Sequence, residues 1–414
     1  MDAVAPEHPV DHPAMTALHL AWRTVRRYRA QTLLAIAGVA VIGALLFDML
    51  LLSRGLLLSF SDLLERAGYD VRIVGGGGLT LRFPIADSAS LARDIAALPE
   101  VQRVVSIRLL PAAMQLPAPT RPVDVTLVGV SEAAAGVWTI VRGENLGNDA
   151  AGGCPIVVGR QLADRLGLSP GAGVRVIAEP PGVASALPPV DCNVVGIARF
   201  AFSAAGTDDV ATTIDAFQRA AAESEPGDAD LILIASRPDV PRPDVVAAIQ
   251  RLRPGIGVYS NDDVVEQFNR NGFAYFRQIS IVLSSLTMVF VFLLVATLLT
   301  VSVNQRLGEI AALRAIGIAR RRIAAMLLWE SALLVGVGGL LALPLGQVLA
   351  VGLDHILRQM PGLPEQLHFF VFEARELVIH LALLVATAFA AAAYPMWLTA
   401  RMPIAATLRR EVVD

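Results

Sequence analysis

Four stretches of this chain are long and apolar enough to cross a membrane, and about 220 residues separate the first from the second. A hydrocarbon core of about 30 Å takes roughly 20 helical residues. Leu33–Leu52, Ile279–Val303, Ala324–Val351 and Leu377–Leu398 meet that length. Lipid cannot hydrogen-bond a backbone, so each stretch predicts a helix. The rest of the composition fits a mixture of spans and one sizeable aqueous domain: 55% of residues are hydrophobic and 17% charged. Average globular chains carry roughly 25% charged residues. A net charge of −3 offers no basic surface for nucleic acid.

Arginine placement orients the spans. Arg23, Arg26, Arg27 and Arg29 precede the first; Arg306, Arg314, Arg320, Arg321 and Arg322 lie between the second and third, opposed by Glu309; Arg401, Arg409 and Arg410 follow the fourth. The connection over 352–376 instead carries Asp354, Glu365, Glu373 and Glu376 against Arg358 and Arg375. Both termini (1–32 and 399–414) and the 304–323 loop are therefore expected in the cytoplasm, with 54–278 and 352–376 on the opposite side. The spans themselves are read as 33–53, 279–303, 324–351 and 377–398. The first is longer than the apolar core of a signal peptide and lacks a small-x-small cleavage site, so it reads as an uncleaved anchor. Ahead of it, Trp22 and Val25 alternate with arginines as in an interfacial amphipathic helix.

Between the first two spans the pattern is that of an α+β domain. The first span continues outward as a helix with Leu56, Phe60, Leu63 and Leu64 on one face. A strand (Asp70–Val74), a helix (Ser88–Leu98) and a strand (Val101–Leu109) follow. The same order recurs as Asp230–Ala235, Arg242–Leu252 and Ile256–Tyr259. Two β-α-β pieces flanking a middle section predict one domain with a β-rich insert over about 130–228. In the insert, Pro155–Val158, Val174–Ala178 and Asn193–Phe200 read as strands and Arg160–Leu166 as a helix. Asp262–Arg277 predicts a helix leading unbroken into the second span. The two cysteines, Cys154 and Cys192, both fall in the insert. They are either a disulfide on an oxidising side or two small buried hydrophobes on neighbouring strands, structural in both cases.

The residue inventory excludes much chemistry. The chain has 34 basic residues and none is lysine. A phosphate-binding loop needs its lysine, as does Schiff-base catalysis. The Gly75–Gly78 run opens no helix, and Pro9 and Pro13 oppose the helix that would align His8 and His12 as metal ligands. His19 lies near the same Pro-rich tail. No catalytic or metal site is expected.

Within the spans, Asp48 is a candidate by its position. Placed near the outer interface with Arg54 six residues on, it reads as a snorkelling or paired acid. Glu330 sits near the inner end of the third span, within reach of the arginine cluster by this reading. Gly336, Gly338 and Gly339 suit close helix packing. Pro344 is expected to kink the third span and Pro395 to end or bend the fourth. In the 304–323 loop, Ile310, Leu313 and Ile316 share a helical face, with Gly317 as a stop. Such a helix is either interfacial, flanked by positive-inside charges, or a docking element for a cytosolic partner.

This loop carries a resemblance. Arg306-x-x-Glu309-Ile310-Ala-x-Leu313-Arg314-Ala315-x-Gly317, followed by Arg321, Ile323 and Glu330, resembles the signature of FtsX-type permeases. These are ABC-transporter membrane subunits, a class that includes the LolC/LolE lipoprotein transporters and MacB. The closing Tyr394, Pro395, Trp397, Ala400, Arg401, Pro403, Ala406 and Leu408 are similar to the family's last segment, with Thr407 as a departure in spacing. The opening Ala21, Arg23, Arg26 and Arg27 fit as well. One span, a large external domain and three more spans make a distinctive order.

The resemblance implies a ferredoxin-like "porter" piece with a β-rich "sabre" insertion outside a four-helix membrane domain. It implies a separate cytosolic ATPase dimer, holding ATP and magnesium, that docks on Arg306, Glu309, Ile310, Leu313, Arg314, Ile316, Gly317 and Arg321. Glu330 would have a positional role. A second permease copy, identical or not, and a periplasmic adaptor or carrier would complete an inner-membrane assembly with contacts to membrane lipid. The implied work is mechanotransmission: ATP-driven motion exports or extracts a lipoprotein, lipid or amphiphile outside the membrane. The alternative is an FtsX-like regulator that activates a periplasmic cell-wall hydrolase and transports nothing. A scaffold without any ATPase would leave the 306–322 helix without a purpose.

Overall fold

A computed structural model describes residues 22, 26–75, 84–117, 121–132, 137–147, 153–179, 187–203, 206–222, 228–272, 274–316, 318–357 and 366–401. Several sequence features lie outside them: His8, His12, His19, Arg23, Val25, Gly76–Gly78, Gly317, Arg358, Glu365, Arg409, Arg410 and the Pro403–Leu408 tail. The chain divides into two units, one of Met1–Gly55, Tyr275–Asp354 and Phe370–Asp414, the other of Leu56–Ala274 and His355–Phe369.

Among the described residues, the first unit is built on four helices long and apolar enough to cross a membrane. They are α1 (Arg29–Arg66), whose residues from Leu56 onward belong to the second unit, α7 (Ala274–Gln305), α9 (Arg320–Leu357) and α10 (Ala374–Arg401). Many of their large apolar side chains face outward, Leu34 and Val348 among them, as lipid-facing residues do. Inward, Val39, Val295, Leu299, Leu334, Leu384 and Ala391 form a packed core. Lipid supplies no hydrophobic drive between helices, so small residues and hydrogen bonds matter more at the contacts. A Cβ on Gly338 would stand 2.7 Å from the Val39 Cβ and 3.1 Å from the Ile36 carbonyl oxygen, so α9 meets α1 there almost backbone to backbone. One on Gly339 would meet Leu384 of α10, whereas Gly336 has nothing within 4 Å. The Ser331 hydroxyl donates to the Ala388 carbonyl at 2.9 Å and adds a polar tie between α9 and α10. Gly338→Val is expected to destabilise this unit by about 1–3 kcal/mol through overpacking, read as a lower melting temperature in detergent, while Gly336→Val changes little. Pro344 and Pro395 both lie inside their helices, and α10 runs past Pro395 to Arg401 rather than ending there.

Among the described residues, the strands of the second unit form one ten-stranded sheet. Four antiparallel strands, β10 (Gly257–Ser260), β1 (Val71–Val74), β9 (Leu231–Ser236) and β2 (Val101–Gln115), lie in that order. Helices α2 (Ser88–Ala96) and α5 (Arg242–Leu252) join the outer pieces as two β-α-β units. Their Leu91, Ile95, Val245 and Ile249 bury one face of the sheet against Val71, Ile73, Ile232 and Ile234.

The strand expected to stop at Leu109 runs on to Gln115. Its far half pairs with β3 (Val123–Val130) on one side and β6 (Gly173–Ala178) on the other. From β3 the ladder passes through β8 (Asp209–Thr213), β5 (Pro155–Gly159) and β7 (Val190–Phe200) back to β6, so six strands close on themselves. Closure removes exposed edges. Pro111 lies within this strand with its side chain exposed, and the Glu179 N–H donates to its carbonyl at 2.8 Å. Inside the closed ring, Met114, Leu127, Ile156, Val176, Val194 and Phe217 form a second core. Strand β4 (Trp138–Gly143) pairs with β7 outside the ring; helices α3 (Arg160–Leu166) and α4 (Ile214–Ala220) follow β5 and β8. Cys154 and Cys192 are joined as a disulfide beside the β5–β7 ladder.

The expected unbroken helix over 262–277 is interrupted. Helix α6 (Asn261–Gln267) gives way to a π-turn at Phe268–Gly272 before α7 begins. The Asn269-Arg-Asn-Gly272 run explains this, since asparagine and glycine are poor helix formers. A capping box on Ser260 and Asp263 starts α6. Between the third and fourth spans, Leu367 and Phe369 are buried, and the His368 N–H donates to the Ser59 hydroxyl at 2.8 Å. The Gln366 amide reaches the Phe200 carbonyl at 3.2 Å. That connection therefore belongs to the second unit.

Candidate functional site

The loop between the second and third long helices folds as α8 (Leu307–Ala315), and Arg306 sets its direction. This residue leaves helical geometry, with φ −121 and ψ 20, and so separates α7 from α8. Its guanidinium is buried and meets Glu330 Oε1 at 3.0 Å. It also donates to the Ser302 hydroxyl, which in turn donates to Glu330 Oε1 at 2.9 Å. The Tyr28 ring lies 5.5 Å from the guanidinium carbon, a cation–π distance. Arg306 was expected to face a partner; instead it is an internal anchor joining the end of α7 to α9. Glu330 pairs with this arginine rather than with the 320–322 cluster. Eight helical residues separate it from Arg322, about 12 Å along α9.

The helix that follows has two faces. Ile310 is buried with Val303, Ile323 and Leu327. Leu313 and Arg314 are half-buried. Glu309, Ala312, Ala315 and Ile316 are exposed, Ile316 by 81%. Ile310 and Ile316 therefore do not share one presented face: six residues at 3.6 per turn leave them roughly 120° apart. Arg27 approaches Glu309 at 3.7 Å in a pair open to solvent, worth little by itself. Arg321 is exposed, and with Arg314, Arg320, Met396 and Trp397 it lines a hollow of about 300 Å³. The site is thus an apolar tip at Ile316, an acid at Glu309 and a basic hollow behind them.

Asp48 has a different environment from the one expected. It is 1% exposed, and neither carboxylate oxygen has a hydrogen-bond partner among the described residues. Arg54 pairs instead with Glu373 at 3.2 Å, because six residues carry it to another side of α1. Asp48 points at Gly346 of α9, where a Cβ would stand 3.4 Å from its Oδ1. His380 of α10 is equally buried, with its ring 5.3 Å from that of Phe47. Sequence reasoning passed over His380, although a histidine inside an apolar span is itself a signal.

Two family models match the chain. The FtsX-like permease C-terminal domain matches residues 281–404, and the MacB-like periplasmic core domain matches residues 32–252, more than half of the chain. An uncharacterized ABC transporter permease protein of Mycobacterium tuberculosis, Rv0987, is 36% identical over 107 residues, covering 26% of this chain and 12% of that relative. Only about an eighth of that relative's length is therefore matched. Among solved structures, the periplasmic region of MacB from Actinobacillus actinomycetemcomitans aligns with a TM-score of 0.39 and 13% identity, over 49% of this chain and 93% of that one. The extracellular domain of the noncanonic ABC-type transporter YknZ from Gram-positive bacteria aligns with a TM-score of 0.33 and 14% identity, over 44% and 91%.

Proposed function

The chain belongs to the FtsX-like ABC transporter permease family with a MacB-like periplasmic core domain, and from that premise we propose that it is a permease subunit working by mechanotransmission. A separate cytosolic ATPase dimer, which binds ATP and magnesium, docks on the outward face of α8. The 1–32, 304–323 and 399–414 segments are cytoplasmic, and 54–278 with 352–376 form the periplasmic part. Two permease copies assemble in the inner membrane with a periplasmic adaptor or carrier. ATP-driven closure moves the external domain, which exports or extracts a lipoprotein, lipid or amphiphile.

The observation that carries this reading is the two-faced helix α8. Its inner face is fixed by the Arg306–Glu330 pair and Ile310, so a push on Ile316 and Glu309 passes into α7 and α9 rather than bending a loop. For the external domain, the four-strand order β10–β1–β9–β2 with its two β-α-β units supports the ferredoxin-like porter assignment. The closed six-stranded insertion supports the sabre.

Ile316→Asp and Glu309→Arg test the docking face. Each is expected to lower ATP turnover of the assembled complex at least about tenfold, equivalent to about 1.4 kcal/mol of lost coupling, while membrane insertion stays intact. Unchanged turnover in both variants would remove the docking role.

A further inference from the structure

The second face of the four-stranded sheet does not close. By strand alternation, Arg72, Leu109 and Leu233 turn away from α2 and α5, toward Phe60 and Leu64 of α1 and Val264 of α6, and a cavity of about 450 Å³ lies between them. Phe202 and Phe268, each 38% exposed, stand at its rim. The Phe268 ring sits 4.6 Å from that of Phe60 and opens the π-turn, a local irregularity frequent at functional sites.

Protein interiors hold few voids larger than a water. A cavity walled mainly by apolar side chains accepts an apolar guest. At about 30 Å³ for each water-sized group, it holds roughly fifteen such groups, the bulk of a medium-length acyl chain.

One side of the cavity is cationic. Arg72 donates to Asn261 Oδ1 at 2.6 Å, its Nε has no partner, and it makes no ion pair among the described residues. Burial holds its pKa down to about 10. Asn261 is itself buried and fixed by the Tyr69 carbonyl at 3.1 Å, so the guanidinium is held in place from the start of α6. The acid on the lining, Asp209, is engaged by the Ser203 hydroxyl at 2.6 Å, and burial pushes its carboxyl up. The guanidinium is half-buried, with its Nε shut off from solvent, and an anion meeting it offsets that desolvation.

We propose that this cavity binds a single-chain amphiphile with an anionic head, the chain lying against Phe60, Leu64 and Val264 and the head on Arg72. The site deepens the export reading by naming a substrate class and rests on it for that meaning alone. Ligand labelling reports the site and ATP turnover reports coupling, so either can fail without the other.

The test uses the full chain in lipid nanodiscs, irradiated with myristate that carries a diazirine at its chain end. Labelled peptides are mapped by mass spectrometry. Label is expected on the cavity lining: Phe60, Leu64, Val264 and the parts of β2, β3 and β9 that face them. Unlabelled myristate is expected to compete about tenfold better than myristyl alcohol, a charge-assisted contact's worth of discrimination, and that preference is expected to vanish in Arg72→Gln. Val128→Phe, which fills the cavity without altering the cation, is expected to reduce labelling several-fold. Label confined to residues outside the cavity lining, equal competition by acid and alcohol, or an undiminished preference in Arg72→Gln would overturn the proposal.

Discussion

Replacing Glu330 with alanine is expected to destabilise the protein by about 3–5 kcal/mol, the usual consequence of leaving one member of a buried ion pair alone. Arg306 and Glu330 are 6% and 4% exposed, and their side chains meet at 3.0 Å. Without the carboxylate, the guanidinium loses its ion-pair partner, and neither the Ser302 hydroxyl nor the Tyr28 ring supplies a counter-charge. The end of α7 would then lose its hold on α9, so the start of α8 frays and ATP turnover of the complex falls together with thermal stability. The joint replacement Arg306→Met with Glu330→Leu separates the two effects. It removes both charges, so stability is expected to return close to wild type. Melting curves of the three proteins in one detergent decide the point: a joint variant as unstable as Glu330→Ala would show that the pair contributes through something other than compensated charge.

Reduction of the Cys154–Cys192 bond carries the second large effect. The cysteines are 38 residues apart, and cross-linking a loop of that length restricts the unfolded chain by about 3–4 kcal/mol in the entropic account. The bond ties the β5 approach to β7, two strands of the closed ring. Cys154→Ser is expected to lower the melting temperature of the external domain and to make it insensitive to reductant, whereas the wild-type protein falls to the same value on reduction. Both thiols should resist labelling until then. Equal melting temperatures with and without reductant in the wild type would contradict a stabilising bond.

The membrane helices were legible because nothing competes with their signal: an apolar run of that length has one structural outcome in lipid. Both β-α-β pieces were legible too, since their periods change from two to 3.6 and back between turn residues. The ring was not. Its closure depends on β2 continuing past Pro111 to pair with both β3 and β6, and pairing between distant strands leaves no mark on local periodicity. Strand β8 and helix α4 are short and were not anticipated; what fixes them is the burial of Val210 and Phe217 inside the ring.

At the candidate site, charge pattern and motif located α8, but which side chains face outward was decided by long-range partners. Arg306 looks like a positive-inside arginine until Glu330 is brought beside it. Ile310 and Ile316 look alike in sequence, and only the packing of Ile323 and Leu327 distinguishes them. Asp48 shows the same limit: Arg54 was the nearest basic residue in the chain, yet Glu373 takes it.

In the proposed assembly, α8 presents Ile316 and Glu309 to an ATPase. Purification of the full chain from its own host in gentle detergent, with mass spectrometry of what accompanies it, tests this most directly. The account predicts a stoichiometric ATPase carrying its own phosphate-binding loop, lost from the Ile316→Asp preparation while the permease remains folded. Wild-type preparations free of any such ATPase under several mild conditions would contradict it.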